Sequence, residues 1–351
     1  MKSIKTSCKL LFLAAVIIML TSCSGVTQGP ETAAAGEKHQ RQVFAMDTVM
    51  LLTVYGEKGE EALDAAEARI LELEADLDPE NPSGSVHALN AGAGSPVEIS
   101  QDCSNVMSTA LGVWAETRGA LDPGIYPLSK AWGFIGGQYR VPDAAELNAL
   151  LSAKNTGGIR LEAGTGTVPS GTEVSFGAVA KGYTAQAVCD LWEEMGVESA
   201  ILSLGGNVQT LGAKKPDGAP WQVAVTDPRD PGNYVGLLET GQAAVVTSGG
   251  YQRYFEWDGV TYIHILDPAT GCPVENDLLS VTVVTADGAT ADALSTALFV
   301  MGAEGALAFY EARDDFELVL ITEDGRVTVT PGLRDAFRET AAGEYTYEYL
   351  D

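Results

Sequence analysis

The sequence predicts an α+β fold with mostly antiparallel sheets and packed helices. Three observations predict it. Asp258-Gly259 and Asp324-Gly325 each sit between short apolar runs, the pattern of tight antiparallel hairpins. Long stretches elsewhere repeat apolar residues at helical spacing. From residue 221 onward strands dominate and do not alternate one for one with helices, which disfavours a doubly wound parallel sheet.

At the N-terminus, Lys2, Lys5 and Lys9 precede an unbroken apolar run, Leu10 to Leu20. That run is short for a bilayer span and the right size for a signal sequence. Leu20-Thr21-Ser22-Cys23 resembles the lipobox of bacterial lipoproteins, which implies a signal peptide over 1–22 and a lipid on Cys23. Residues 24–40 are small and polar without periodicity and read as a flexible tether, so a folded domain is expected over 41–340.

Val43 to Tyr55 is β-branched and apolar and reads as one long strand. Leu63, Ala66, Ile70, Leu73 and Leu77 mark a helix over 57–77. Residues 78–96, rich in Pro, Gly, Ser and Asn, read as a loop, and 102–118 as a second helix. Asp143 and Glu146, three apart in "PDAAE", suggest a capping box for a third. Ala178 to Met195 is a fourth helix, followed by a strand over 199–204. Strands at 252–257 and 260–266 flank the first Asp-Gly pair, and strands at 316–322 and 326–330 flank the second. Between them come a strand at 279–286, an apolar helix ending in "LFVMG", and a further helix near 305–312.

The chain carries a net charge of −27, and losing the three signal lysines takes it to −30. Nucleic-acid binding wants a basic face and is disfavoured. Attraction to anionic lipid is disfavoured as well, which leaves anchoring to the lipid on Cys23. Cys103, Cys189 and Cys272 are widely spaced, allow at most one disulfide and form no metal clip.

Four segments depart from local rules. In "SFGAVAKGY" (175–183) two glycines bracket a helix start, which suits either an anion or close packing against a strand. In "HILDPATGCP" (264–273), His264 follows a strand and precedes a turn, and is either structural or a proton or phosphate contact. "ALDPGIYPLSKAWGF" (120–134) suits a pocket wall or a packed loop. In "DGATADALSTALFVMG" (287–302), Asp292 and Thr296 share one helix face. Two oxygens so placed suit a hard cation such as Mg²⁺, or else Asp292 caps the helix and Thr296 bonds back to a carbonyl.

"FAMDTVM", "LDPGIYPLSKAWGF", "GAVAKGY", "SLGGN", "VVTSGGYQR", "HILDPATG" and "TADALSTALFVMG" occur in one order. In that order they resemble the bacterial FAD:protein FMN transferases, the ApbE family, over about residues 43–330. The resemblance implies a single α+β unit of two intimately packed subdomains with the flavin in a cleft between them. It implies FAD as substrate and Mg²⁺ as cofactor, with FMN passed to a Thr or Ser hydroxyl of a target protein and AMP released. It implies Mg²⁺ on Asp292, Thr296 and the carbonyl of Ala178, with His264 and Asp292 in the catalytic machinery. Met46, Ala120, Leu121, Asp122, Ser175, Lys181 and His264 are the implied flavin-nucleotide contacts. Asp47 stands where the family commonly has glycine, Leu121 where it has an aromatic, and Ser175 where aspartate is frequent. The implied acceptors are exported or membrane flavoproteins such as subunits of membrane redox complexes. Two alternatives to transfer are a Mg²⁺-dependent FAD pyrophosphatase and a non-catalytic flavin-binding lipoprotein. The implied location is the extracytoplasmic side of the bacterial membrane.

Overall fold

The computed structural model describes residues 36–215, 217–341 and 343–351. The expected signal peptide, Cys23 and most of the tether lie outside them. Strand β1 (Lys38–Ala45) begins ahead of the expected start at Arg41 because it pairs throughout with β2 (Thr48–Tyr55), Lys38 opposite Tyr55. His39 therefore lies in a strand and not in the tether.

The single strand expected over 43–55 is a hairpin. The chain reverses at Met46 and Asp47, with φ of 49° and 59°, and Ala45 pairs with Thr48. Positive φ at both central residues is the two-residue hairpin turn that fits the twist of the strands. No glycine signals it, so the apolar run reads straight through. The left-handed backbone at Met46 costs about 1–2 kcal/mol. Glu74 Oε1 offsets part of this by accepting the Met46 N–H at 2.5 Å.

Helix α1 (Gly59–Leu77) buries Leu63, Ala66, Ile70, Leu73 and Leu77, the periodic set read from the sequence. The expected loop after it contains a second short helix, α2 (Ser85–Ala91), which carries His87. Val86 and Leu89 pay into the core, while Asp76 accepts both the Ser85 N–H and its hydroxyl. Loop composition concealed an element that tertiary burial stabilises. Next come β3 (Val97–Glu98) and α3 (Gln101–Glu116), the latter capped by Ser100 accepting the Cys103 N–H at 2.9 Å. They are followed by α4 (Tyr126–Trp132) and α5 (Ala144–Ala153). Asp143 caps α5 through the Glu146 N–H at 2.8 Å, but Glu146 turns to Arg140, so only half of the capping box forms. Short strands β4 (Arg160–Glu162) and β5 (Thr165–Thr167) join β3 in a small sheet.

The second half supplies α6 (Ala180–Glu194), β6 (Ser199–Leu204), β7 (Asn207–Gly212), β8 (Trp221–Thr226), β9 (Tyr234–Thr240) and β10 (Ala244–Gly249). The hairpin β11 (Tyr254–Trp257) and β12 (Val260–Ile263) turns at Asp258-Gly259 as expected. Strand β13 (Leu278–Thr285) leads into α7 (Gly288–Glu311). The chain ends with β14 (Glu317–Thr322), β15 (Arg326–Val329), β16 (Phe337–Glu339) and β17 (Thr346–Tyr349), so ordered structure continues past residue 340. The two helices expected over 287–312 are one element broken at Gly302, whose φ of 74° is non-helical.

Nine strands form one sheet in the order β1-β2-β6-β7-β10-β13-β14-β15-β17, antiparallel at every pair except β15–β17. Helices α1, α6 and α7 cover one face, and the β16-β9-β8 sheet packs against the other through Val245, Val319 and Phe337. This is an α+β architecture. Helix α7 is long and apolar enough to cross a membrane, yet it packs on β10, β13, α3 and α6, with Ala291, Leu294 and Leu298 fully buried. Helices α6 and α7 cross at two glycines. A Cβ on Gly182 would lie 2.0 Å from the Gly288 carbonyl oxygen, and one on Gly288 would lie 2.5 Å from that of Gly182.

Candidate functional site

The crossing of α6 and α7 brings distant side chains together. Asp292 is buried on the first turns of α7. Its Oδ2 accepts the Gly182 N–H at 2.9 Å, and the Lys181 ammonium stands 3.9 Å away. A helical Gly182 N–H would ordinarily bond the Ala178 carbonyl, but Val179, with φ −136° and ψ −30°, breaks the ladder there. Among the described residues, no hydrogen bond reaches the Ala178 carbonyl. Asp292 does not cap α7. Asp287 does, accepting the Thr290 N–H at 2.7 Å.

Thr296 lies one turn beyond Asp292, and its hydroxyl is 3.3 Å from the Asp292 carbonyl and 3.3 Å from Ser248 Oγ. The back-bond considered from spacing is therefore present but long. Ser295, fully buried, bonds Ser248 Oγ at 2.8 Å and the Asp292 carbonyl at 2.9 Å, so its oxygen is already engaged. Ser248 lies within the motif "VVTSGGYQR" but is not among the site residues expected from the sequence.

A buried carboxylate is costly unless its charge is matched. Asp292 has one amide at hydrogen-bond distance and an ammonium beyond it, which leaves lone pairs open. Carboxylate, hydroxyl and an unclaimed carbonyl form a hard-oxygen set that fits Mg²⁺, a cation that takes few protein ligands. No cluster of three or more His, Cys, Asp or Glu exists among the described residues, so the donor chemistry does not suit a soft metal.

The other expected residues lie in segments joined to α6 or to one another. Met46 reaches α6 through its sulfur, 3.8 Å from the Thr184 hydroxyl. Ser175 is tied to the segment of Ala120, Leu121 and Asp122 by its N–H, which donates to the Pro123 carbonyl at 3.0 Å. Leu121 packs into the main core, and its side chain presents no ligand face. Asp122 is buried and already accepts from Gly124 N–H, the Thr156 hydroxyl and the Lys154 ammonium, at 2.8, 2.6 and 2.6 Å. It caps the short 3-10 turn Pro123–Ile125 and ties it to Thr156 and Lys154. Lys154 also donates to the Pro268 carbonyl, and Trp132 Nε1 to that of Gly271, fastening the "DPATG" turn to α4 and α5.

His264 sits beside Phe134, with its Nδ1 3.0 Å from the Arg253 carbonyl. A carbonyl only accepts, so Nδ1 carries the proton and Nε2 the lone pair. Burial pushes the imidazole down from an ordinary 6.5 to about 4, and the Arg253 and Lys181 cations push the same way against the Arg253 carbonyl bond. The residue keeps a little solvent exposure, but the protein packed around the ring dominates its titration.

The ApbE family model matches residues 46–320. A FAD:protein FMN transferase of Klebsiella pneumoniae (strain 342) is 34% identical over 314 residues, covering 87% of this chain and 95% of the relative. One of Treponema pallidum (strain Nichols) is 30% identical over 358 residues, covering 95% and 97%. The crystal structure of the ApbE protein of Thermotoga maritima is similar at a TM-score of 0.79 and 28% identity, over 86% of this chain and all of that one. The flavin transferase ApbE from Vibrio cholerae reaches 0.74 at 28% identity, over 88% and 98%. Fold and relatives define an enzyme of the flavin-transferase class. The chain belongs to the ApbE family.

Proposed function

We propose that this enzyme transfers FMN from FAD to a Thr or Ser hydroxyl of an exported or membrane flavoprotein, in a Mg²⁺-dependent reaction that releases AMP. The observation that carries the reading is the oxygen set of Asp292, Thr296 and the unclaimed Ala178 carbonyl beside Lys181. Mg²⁺, when bound, offsets negative charge on the diphosphate oxygens. Asp292, Thr296 and the Ala178 carbonyl would hold it. Lys181 places a cation on the same diphosphate. The acceptor oxygen bonds to the FMN phosphorus as the bridging P–O bond to AMP breaks, and AMP keeps that electron pair. Nε2 of His264 has the lone pair to take the acceptor proton. The diphosphate's negative charge raises the imidazole from its depressed starting point. Met46 and the Ala120–Asp122 segment border the space for the flavin, where exclusion of water favours transfer over hydrolysis.

We place the enzyme on the extracytoplasmic side of the membrane, held by lipid on Cys23. The motif at Leu20–Cys23 supports this, and subunits of membrane redox complexes are then within reach as acceptors. The test is to incubate the chain from Ser24 with FAD and Mg²⁺ and follow AMP, with and without an acceptor domain. Transfer predicts AMP and a fluorescent acceptor band together. AMP with free FMN and no acceptor would mean a pyrophosphatase. Bound FAD with no AMP under either condition would mean a binding protein.

A further inference from the structure

Arg253, in the "VVTSGGYQR" segment, has no role in the reaction as described so far. It sits just before β11, opposite His264, where Tyr254 pairs with Ile263. The Arg253 carbonyl accepts the His264 N–H at 3.0 Å, so the two side chains leave the same face of the hairpin. Its guanidinium has five N–H donors, and one nitrogen, Nη2, donates to the Phe134 carbonyl. Among the described residues, no carboxylate lies within 4.0 Å of it. Arg118, Arg160, Arg229 and Arg338 also lack a carboxylate, but those four are exposed to water, whereas Arg253 is half-buried. A half-buried, unpaired guanidinium is costly, and the more unexpected in a chain of net charge −27. The charged groups that act on His264 are Arg253 and Lys181, both cations. Two cations therefore act on this one ring in a chain that is otherwise acidic.

We propose that Arg253 is a binding residue for the donor, its guanidinium hydrogen-bonding the diphosphate from beside His264. The inference rests on FAD being the donor. A guanidinium forks onto phosphate oxygens more readily than onto any neutral ligand. The bond to Phe134 holds the group in place and leaves the remaining donors for the anion.

The test compares FAD with riboflavin, which has the same ring system and no phosphate, by flavin fluorescence in Mg²⁺ buffer. Wild type, Arg253→Met and Arg253→Lys are measured, each checked for an unchanged melting temperature. Loss of one charge-assisted contact weakens FAD binding by about 10- to 100-fold in Arg253→Met. Riboflavin binding stays the same, and Arg253→Lys falls between. Equal weakening of FAD and riboflavin would reduce Arg253 to a tie onto Phe134 and overturn the inference. So would an unchanged preference for FAD in Arg253→Met, which leaves the donor assignment standing. A wild type that binds FAD no better than riboflavin would remove diphosphate recognition and sink both readings together.

Discussion

The N–H of Gly182 bonds the carboxylate of Asp292 at 2.9 Å, across 110 residues of sequence, instead of closing its own helical turn. One hydrogen bond thus orients a buried acid and leaves the Ala178 carbonyl open beside it. The acid of α7 is held by a second helix, its hydroxyl lies against Ser248 at the end of β10, and the two helices meet closely at the glycine crossing.

Asp292→Asn keeps an oxygen for the Gly182 N–H while removing the charge, so the fold survives. With the proposed metal assignment, turnover of FAD falls about 100-fold or more, since a metal supplies several kcal/mol of charge stabilisation. FAD affinity changes far less, and titration with Mg²⁺ shows a raised half-saturation. Turnover equal to wild type would remove Asp292 from the metal site.

Gly182→Ala forces a methyl to within 2.0 Å of the Gly288 carbonyl oxygen, which is backbone and has nowhere to go. The helices must part, at a cost of about 1–3 kcal/mol. Thermal melting shows a drop of several degrees. Gly112→Ala on the exposed side of α3 meets nothing within 4 Å and is the control. It raises stability by about 0.5–1 kcal/mol through helix propensity and the unfolded chain's entropy. Similar melting shifts in the two variants would show that the crossing is loose.

His264 titrates near 4 in the ligand-free protein, against 6.5 for an ordinary imidazole. Because the folded value is depressed, the unfolded chain binds the extra proton first as pH falls. The stabilising effect of a neutral His264 is complete above 6.5 and is lost progressively down to about 4. Denaturant titrations across that window show a shallower loss for His264→Gln than for wild type. Proton NMR of the ring gives the midpoint directly, and added FAD raises it. A ligand-free midpoint at 6 or above would refute the buried, cation-flanked environment.

Much of the candidate site is legible because its motifs are local. Asp292 and Thr296 announced themselves as two oxygens on one face of an apolar helix, and Asp258-Gly259 marked a hairpin, since both signals depend on a few adjacent residues. The turn at Met46–Asp47 was not legible, because a left-handed pair inside an apolar run carries no glycine and is held by Glu74 from another element. Helix α2 was hidden for a related reason. Its loop-like composition is overridden by the burial of Val86 and Leu89.

The sequence by itself determined the α+β character, the family, and the residue types available for the site, all of which follow from periodicity and short motifs. Tertiary structure alone decided which carbonyl is left unclaimed and that Lys181 acts on His264. Those outcomes depend on distances between segments about 100 residues apart. Hydrogen bonds and charges act over a few ångströms in space, whatever the separation along the chain.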